Sequence, residues 1–468
     1  MLVAVAALCL VQFTDVLGVT VVVTALPSML DSLHAPQSYS TLISAGYAMF
    51  FGGLLMFGAR LGDRYGHRRT ILASLAVFAA GAVVAATATS AVALTAGRCL
   101  QGAAAAASVP SALRLLTTIT EEGPVRRRAI AAWSAAGAAA GASGFVLGGI
   151  VTDLTSWRFV FWAYIPLAAV LGAVIAASVA PDTGSEPAKS LNLAGSAVFT
   201  AAVMAFVVGC TIITQPAGHV AGGLALGGCA VLAALFAVID RRAAAPLLPG
   251  QLISVRTLRQ GALGGFLNTA TTSSVFTLVT LYLQNTLHHS PLNAAATLLP
   301  FSLAVIAGSS LSAVVQRRLR PPQVVAAGLA VIAVGDAMLI PLADSTWAVP
   351  VCAAAAGAGI GLSSVAATGL GTDVSPNWRG GASGIINTAA QLGTAIGIAV
   401  LLLIAAATSG VPAAGTAPPK IAWAVGAAVA AVGAAWFSMT SDQDGTTMGN
   451  SSTPSTRVGA AASKRSCN

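Results

Sequence analysis

The stretch GARLGDRYGHRRTIL, residues 58–72, is a short charged hinge between two long apolar runs. Residues 41–58 upstream hold no charge, and neither do residues 70–97 downstream. Between them stand Arg60, Asp63, Arg64, His67, Arg68 and Arg69. Charge is excluded from the core of a bilayer, and short loops rich in Lys and Arg stay on the cytoplasmic side. The stretch therefore predicts two membrane spans joined by a tight basic loop.

The rest of the chain extends that pattern. Of 468 residues, 56% are hydrophobic and only 8% charged, against about 25% charged in a soluble domain. Mean hydropathy is +0.84. The composition is that of an all-α polytopic membrane protein. The net charge of +9 is spread over many short loops and does not suggest nucleic acid. Five of the six cysteines lie in apolar runs without paired spacing, which indicates neither a disulfide framework nor a metal site. No cleavable signal is evident. The first apolar run starts abruptly near Met1, as if a few preceding basic residues had been lost.

A span needs about 20 apolar residues to cross roughly 30 Å of hydrocarbon. Fourteen are expected, near 4–28, 41–61, 71–90, 92–117, 129–152, 158–180, 192–213, 220–239, 261–285, 293–315, 323–343, 347–371, 381–408 and 420–440. Residues 441–468, rich in Ser, Thr and Gly, read as a disordered tail. Of the 23 Lys and Arg, all but Arg98, Arg114, Arg158 and Lys420 fall in the tail or after even-numbered spans. That asymmetry predicts both termini in the cytoplasm of a multi-pass plasma-membrane protein. A weak internal repeat aligns Ala313–Leu329 without gaps to Ala59–Leu75, although two basic loops can also look alike by chance. Two six-helix bundles, 1–180 and 261–440, with a two-span insert in 181–260, are the expected organisation.

The loop motif, Gly58, Gly62, Asp63, Arg64, Gly66, Arg68 and Arg69, resembles the loop between spans 2 and 3 of major facilitator superfamily transporters. Further matches point to the fourteen-span drug:proton antiporters of that superfamily. Ser156-Trp157-Arg158 with Phe161 and Pro166 resembles the start of their span 6. Leu283-Gln284-Asn285 with Ser290-Pro291 and Leu299-Pro300 resembles spans 9 and 10, and Gly381 to Gly397 resembles span 13. Arg98 followed by Gln101-Gly102 resembles the second superfamily motif, and Gly144, Gly148 and Gly149 fit the span 5 antiporter motif. Phe145, however, stands where that motif has Pro. In span 1 the family has Asp-x-Thr before Ala-Leu-Pro. Here Gly18 takes the Asp position, Thr20 matches the Thr, and Asp15 lies three residues earlier on roughly the same helix face.

The resemblance implies export of a hydrophobic small molecule against inward proton movement, by alternating access and without a cofactor. No phosphate-binding loop for ATP is seen. The expected partners are the bilayer, the small molecule and protons, with the chain working as a monomer. Asp15 and Arg98 are the proton-coupling candidates. A carboxylate or guanidinium inside a span is costly unless paired, and Asp15 is the best partner for Arg98 by depth; a purely structural Asp is the alternative. Asp336, Asn268, Gln284, Asn387 and Gln391 are cavity or substrate candidates; the four amides are open to the alternative of bonding neighbouring helices, and Asp336, otherwise a second titratable site or a cation partner, to that of a helix-end acid near the outer surface. The glycines of span 5 are open to the alternative of plain packing. A facilitator or symporter of the same fold is the rival reading, favoured by Phe145 and by the shifted position of Asp15. An enzyme is disfavoured, since neither Gly-x-Ser-x-Gly nor His-Glu-x-x-His occurs.

Gly62, Asp63, Arg64, Gly66, Arg68 and Arg69 are the expected conformational latch, with Asp63 meeting the positive N-terminal end of span 13. Asp63→Asn should slow transport at matched expression while leaving insertion and folding intact. Full transport by this variant would remove the latch.

Overall fold

In the structure, a computed structural model, residues 1–121, 123–181, 192–213, 215, 218–342, 345, 347–375, 378–409 and 418–449 are described. Every regular element among them is helical: α1 (Leu2–Ser32), α2 (Tyr39–Tyr65), α3 (His67–Ala86), α4 (Ala91–Ile119), α5 (Pro124–Leu154), α6 (Trp157–Ser178), α7 (Leu193–Ile212), α8 (His219–Arg242), the single turn α9 (Gly250–Ile253), α10 (Arg256–Leu281) with a π turn at Tyr282–Thr286, α11 (Pro291–Val315), α12 (Pro321–Leu342), α13 (Ala348–Gly371), α14 (Arg379–Ser409) and α15 (Lys420–Gly449). Spans nine to fourteen of the sequence correspond to α10–α15.

Local chemistry sets several of these boundaries. Ser90 and Ser290 cap α4 and α11 by accepting from the amides of Ala93 and Asn293, and Pro124, Pro291 and Pro321 open helices where an amide is not needed. Gly66 makes the two-helix hinge of the basic loop possible. Its φ of +93° is open to glycine at little cost and costly to most other residues. The expected tail boundary at 441 is not where the helix stops. No proline interrupts Lys420–Gly449, and α15 runs to Gly449.

Eleven helices are long and apolar enough to cross a membrane, or twelve if Pro124–Gly141 and Ser143–Leu154 form one bent span. That is fewer than the fourteen expected. The two long helices that fall short are α4 and α10. The first buries Arg98, Gln101, Ser108 and Ser111, and the second Gln260, Asn268, Thr271, Thr272, Ser274, Thr277 and Thr280. Their polar groups face other helices, so hydropathy alone undervalues them.

The first six helices and the last six pack by one scheme. In the first half α1 packs on α5, α2 and α3 on α4, and α3 on α6. In the second, α10 packs on α14, α11 and α12 on α13, and α12 on α15. The halves meet where α2 packs on α14 and α11 on α5. Helix α7 lies against both α2 and α14, through Ala45, Ala48, Met49, Val203, Val207, Ala395 and Ala399. Helix α8 packs on α7 and buries only Gly222 and Asp240.

Glycines bring the paired backbones together, as hydrocarbon-embedded helices require when no hydrophobic drive distinguishes helix from lipid. A Cβ on Gly58 would collide with the Ala106 carbonyl, and one on Gly102 with the Tyr47 carbonyl, both across the α2–α4 crossing. Gly308 and Gly357 do the same across α11–α13, against the carbonyls of Ala358 and Phe301. Gly227 on α8 has no atom within 4 Å of its position for a Cβ. Overpacking of a tight interior costs about 1–3 kcal/mol or more. Gly58→Leu should therefore abolish the monodisperse peak in detergent chromatography, while Gly227→Leu should elute like wild type.

Candidate functional site

Asp15 stands halfway along α1 and is 3% exposed. The Ser108 hydroxyl of α4 donates to its Oδ2 at 2.7 Å. The Tyr47 hydroxyl of α2 donates to its backbone carbonyl at 2.8 Å. Ser108 thus fixes the carboxyl group and Tyr47 the backbone that carries it. A Cβ on Gly18 would lie 3.2 Å from the Tyr47 ring. The ring occupies the space beside Gly18, the position at which the sequence resemblance places an Asp, so the acid sits one helical turn earlier.

Arg98 is fully buried, and its guanidinium carbon lies 4.7 Å from the centre of the same Tyr47 ring. None of its three side-chain nitrogens has a hydrogen-bond partner among the described residues. The direct Arg98–Asp15 pairing expected from depth is not formed. Tyr47 touches both groups instead, with its face to the cation and its hydroxyl to the Asp15 backbone. A cation over a desolvated ring gains about 2 kcal/mol. That is well below the cost of burying a lone charge. Near Arg98, the Tyr164 hydroxyl and both polar atoms of Gln101 are also buried without partners. Tyr47, Ser108 and Tyr164 carried no signal in the sequence beyond being polar groups in apolar runs.

The span 5 glycines form the α1–α5 contact. Gly144 abuts Thr20, and Gly148 abuts Val21 and Thr24. Gly149 turns the other way, toward Pro291 and Ala295 of α11 in the second half. Phe145 packs edge-on against Phe301 at 5.8 Å, and Phe301 lies 4.5 Å from Phe276. The Thr24 hydroxyl donates to the Phe145 carbonyl at 3.1 Å, and Gln284 Nε2 donates to the Thr24 carbonyl at 2.7 Å. Gln284 therefore ties the two halves together.

The other cavity candidates are scattered. Asn268 accepts from Ser363 at 2.7 Å, inside the second half. Gln391 sits at the α2–α14 contact, its Cβ 2.8 Å from where Gly52 would carry one. Asn387 is exposed and donates to the Ser383 carbonyl. Asp336 is fully buried in α12. In the basic loop, His67 pairs with Asp63 at 3.4 Å, Arg64 lies over Tyr65, and Arg68 donates to the Ala176 carbonyl at the end of α6. Gly62 abuts His67 and Ser111. Arg60, outside the expected latch, donates to the carbonyls of Ala245 and Pro246 at 2.7 and 2.5 Å. The latch was expected to dock near Gly380–Gly381; a Cβ on Gly381 would lie 3.2 Å from Leu252.

Residues 8–398 match the family described as Major Facilitator Superfamily. The chain belongs to the major facilitator superfamily. It is 34% identical over 422 residues to the cephamycin export protein of Amycolatopsis lactamdurans, covering 86% of this chain and 85% of that one. It is 31% identical over 410 residues to the tetracenomycin C resistance and export protein of Streptomyces glaucescens, covering 84% and 73%. The puromycin resistance protein of Streptomyces alboniger is 31% identical over 400 residues, covering 83% and 79%. Among solved structures, the human organic anion transporter MFSD10 superposes with a TM-score of 0.60 over 93% of this chain and 99% of that one, at 16% identity. That likeness shows the superfamily fold.

Within this superfamily member, the Asp15 contacts give a direct test. A hydrogen bond to a charged group is worth about 1.5–3 kcal/mol. Ser108→Ala should cut transport by an order of magnitude or more at equal protein level. Tyr47→Phe, which keeps the ring under Arg98 and loses only the donor to a backbone carbonyl, should cost less. Equal transport by wild type and Ser108→Ala would separate the carboxyl group from function.

Proposed function

We propose that the chain exports a hydrophobic small molecule of antibiotic or metabolite type from the cytoplasm, driven by inward proton movement. The observation that carries this reading is Asp15, a buried carboxyl group in mid-helix that accepts from Ser108 while Tyr47 bonds its backbone carbonyl. It stands in a chain whose relatives are named for antibiotic export or resistance. A proton on Asp15 neutralises the charge and weakens its claim on the Ser108 donor, so protonation alters packing between α1 and α4. Arg98 acts on that acid through Tyr47, its partner at 4.7 Å.

On this reading all fourteen long helices cross the membrane, as in the fourteen-span drug:proton antiporters, with both termini cytoplasmic. Helices α4 and α10 do so inside their bundles, which accounts for their polar faces. The bundles 1–180 and 261–440 rock about a midplane cavity, and residues 181–260 form the insert. Asp63 and the glycines and arginines around it latch one state. The transporter needs no cofactor and works as a monomer in the bilayer.

A facilitator on the same fold is the second reading, favoured by one observation. Phe145 replaces the antiporter Pro and packs across the halves against Phe301.

Inverted membrane vesicles with an acid interior, followed by a pH-sensitive dye, decide between them. Addition of lipophilic cations, neutral antibiotics or aromatic metabolites should release protons in wild-type vesicles and not in Asp15→Asn vesicles. Transport of a test compound with no proton release would favour the facilitator.

A further inference from the structure

The second fully buried acid lies apart from the site above. Asp336, in α12, is 0% exposed, and both its carboxyl oxygens lack a hydrogen-bond partner among the described residues. Helices α13 and α15 pack closely on α12, and α10 touches it more lightly. From α13 the neighbouring titratable group is Cys352, a free thiol. From α15, the position of a Cβ on Gly426 would lie 3.9 Å from Asp336 Oδ2 and 2.8 Å from Val275 of α10. One turn before Gly426, Trp423 is also fully buried, and its indole Nε1 has no acceptor among the described residues. The Trp423 ring packs edge-on against Tyr282 at 5.7 Å. No charged group faces Asp336 from these helices among the described residues.

The repeat between the halves gives this position independent meaning. The register that aligns Ala59 with Ala313 also aligns Gly81 with Gly335. Both glycines make the same crossing. A Cβ on Gly81 would stand 2.9 Å from the Gly97 carbonyl of α4, and one on Gly335 would stand 2.9 Å from the Cys352 carbonyl of α13. The first half buries a cation beside that crossing and the second half buries an acid.

An unpaired carboxylate in such surroundings costs several kcal/mol, and a proton is the smallest partner that removes the charge. When the proton leaves, the carboxylate needs a donor. The Trp423 N–H, on the helix face carrying Gly426, is a buried donor without an acceptor. We propose that Asp336 is a proton-binding site of the second half, exchanging its proton for the Trp423 indole N–H. The O–H bond of the acid breaks, the proton leaves to solvent, and a hydrogen bond from Nε1 to the carboxylate replaces it. The site does not depend on coupling at Asp15.

A hydrophobic carbodiimide couples to protonated carboxyl groups in apolar surroundings, and peptide mass spectrometry locates the adduct. Full-length protein in lipid vesicles should be labelled at Asp336 at acid pH and lose most of that label as pH rises. Tryptophan fluorescence should change over the same range. This change should vanish in Trp423→Phe and in Asp336→Asn. An adduct at Asp15 with none at Asp336, or an Asp336 adduct constant from acid to alkaline pH, would overturn the site. So would a fluorescence step that persists in Asp336→Asn. The labelling needs only wild-type protein, so it stands even where the variant does not fold. Failure of substrate-driven proton release with Asp336 labelling intact would count against Asp15 coupling alone.

Discussion

Tyr47 is the side chain on which the first half closes. Its carbonyl receives Gly102 at the α2–α4 crossing, its ring fills the space left by Gly18 on α1, and its face lies beneath Arg98. Its hydroxyl reaches the Asp15 carbonyl. Three helices therefore share one residue at mid-depth, where a mispaired polar group is expensive. The ring also keeps the buried cation and the buried acid from pairing directly. An ion pair there would satisfy both at once and leave neither to respond to a proton.

The architecture was legible because hydrocarbon allows so few solutions. Basic clusters at residues 60–69, 126–128, 241–242 and 317–320 mark helix ends, and apolar runs inside a bilayer have to be helical. Span limits were close for α2, α6, α7, α11 and α12. The tail boundary was not, because Ser, Thr and Asp after residue 440 lower hydropathy without breaking a helix. The register of the weak loop repeat also places Gly81 and Gly335 at matching crossings, and the main helix pairings of the first six helices recur in the last six.

The site was legible only in part. Asp15 and Arg98 stand out because charge in a span is rare, and both are buried. What connects them was hidden, since Tyr47 and Ser108 are ordinary residues until three helices are placed. Depth along a helix suggested an Arg98–Asp15 contact, and azimuth, which a sequence does not supply, determined otherwise. The polar candidates of the second half show the same limit. Asn268 turned inward to Ser363, Gln284 reached across to Thr24, and Asn387 stayed exposed.

The seating of α7 has a mechanical consequence. It rests on α2 of one half and α14 of the other, through Ala45, Ala48, Val203, Val207, Ala395 and Ala399. Any displacement of the halves must pass along this strip. Its buried centre is mostly Ala and Val with Met49, and the larger Phe50, Phe206 and Leu392 pack around it. The segment beyond α8 is tied down differently. Asp240 accepts from the amides of Leu247 and Leu248, Arg60 grips the carbonyls of Ala245 and Pro246, and Leu252 packs with Ala382 and Ile386 of α14. The inserted pair is thus held along one helix and moored at its far end, so it is built into the packed body and does not hang beside it.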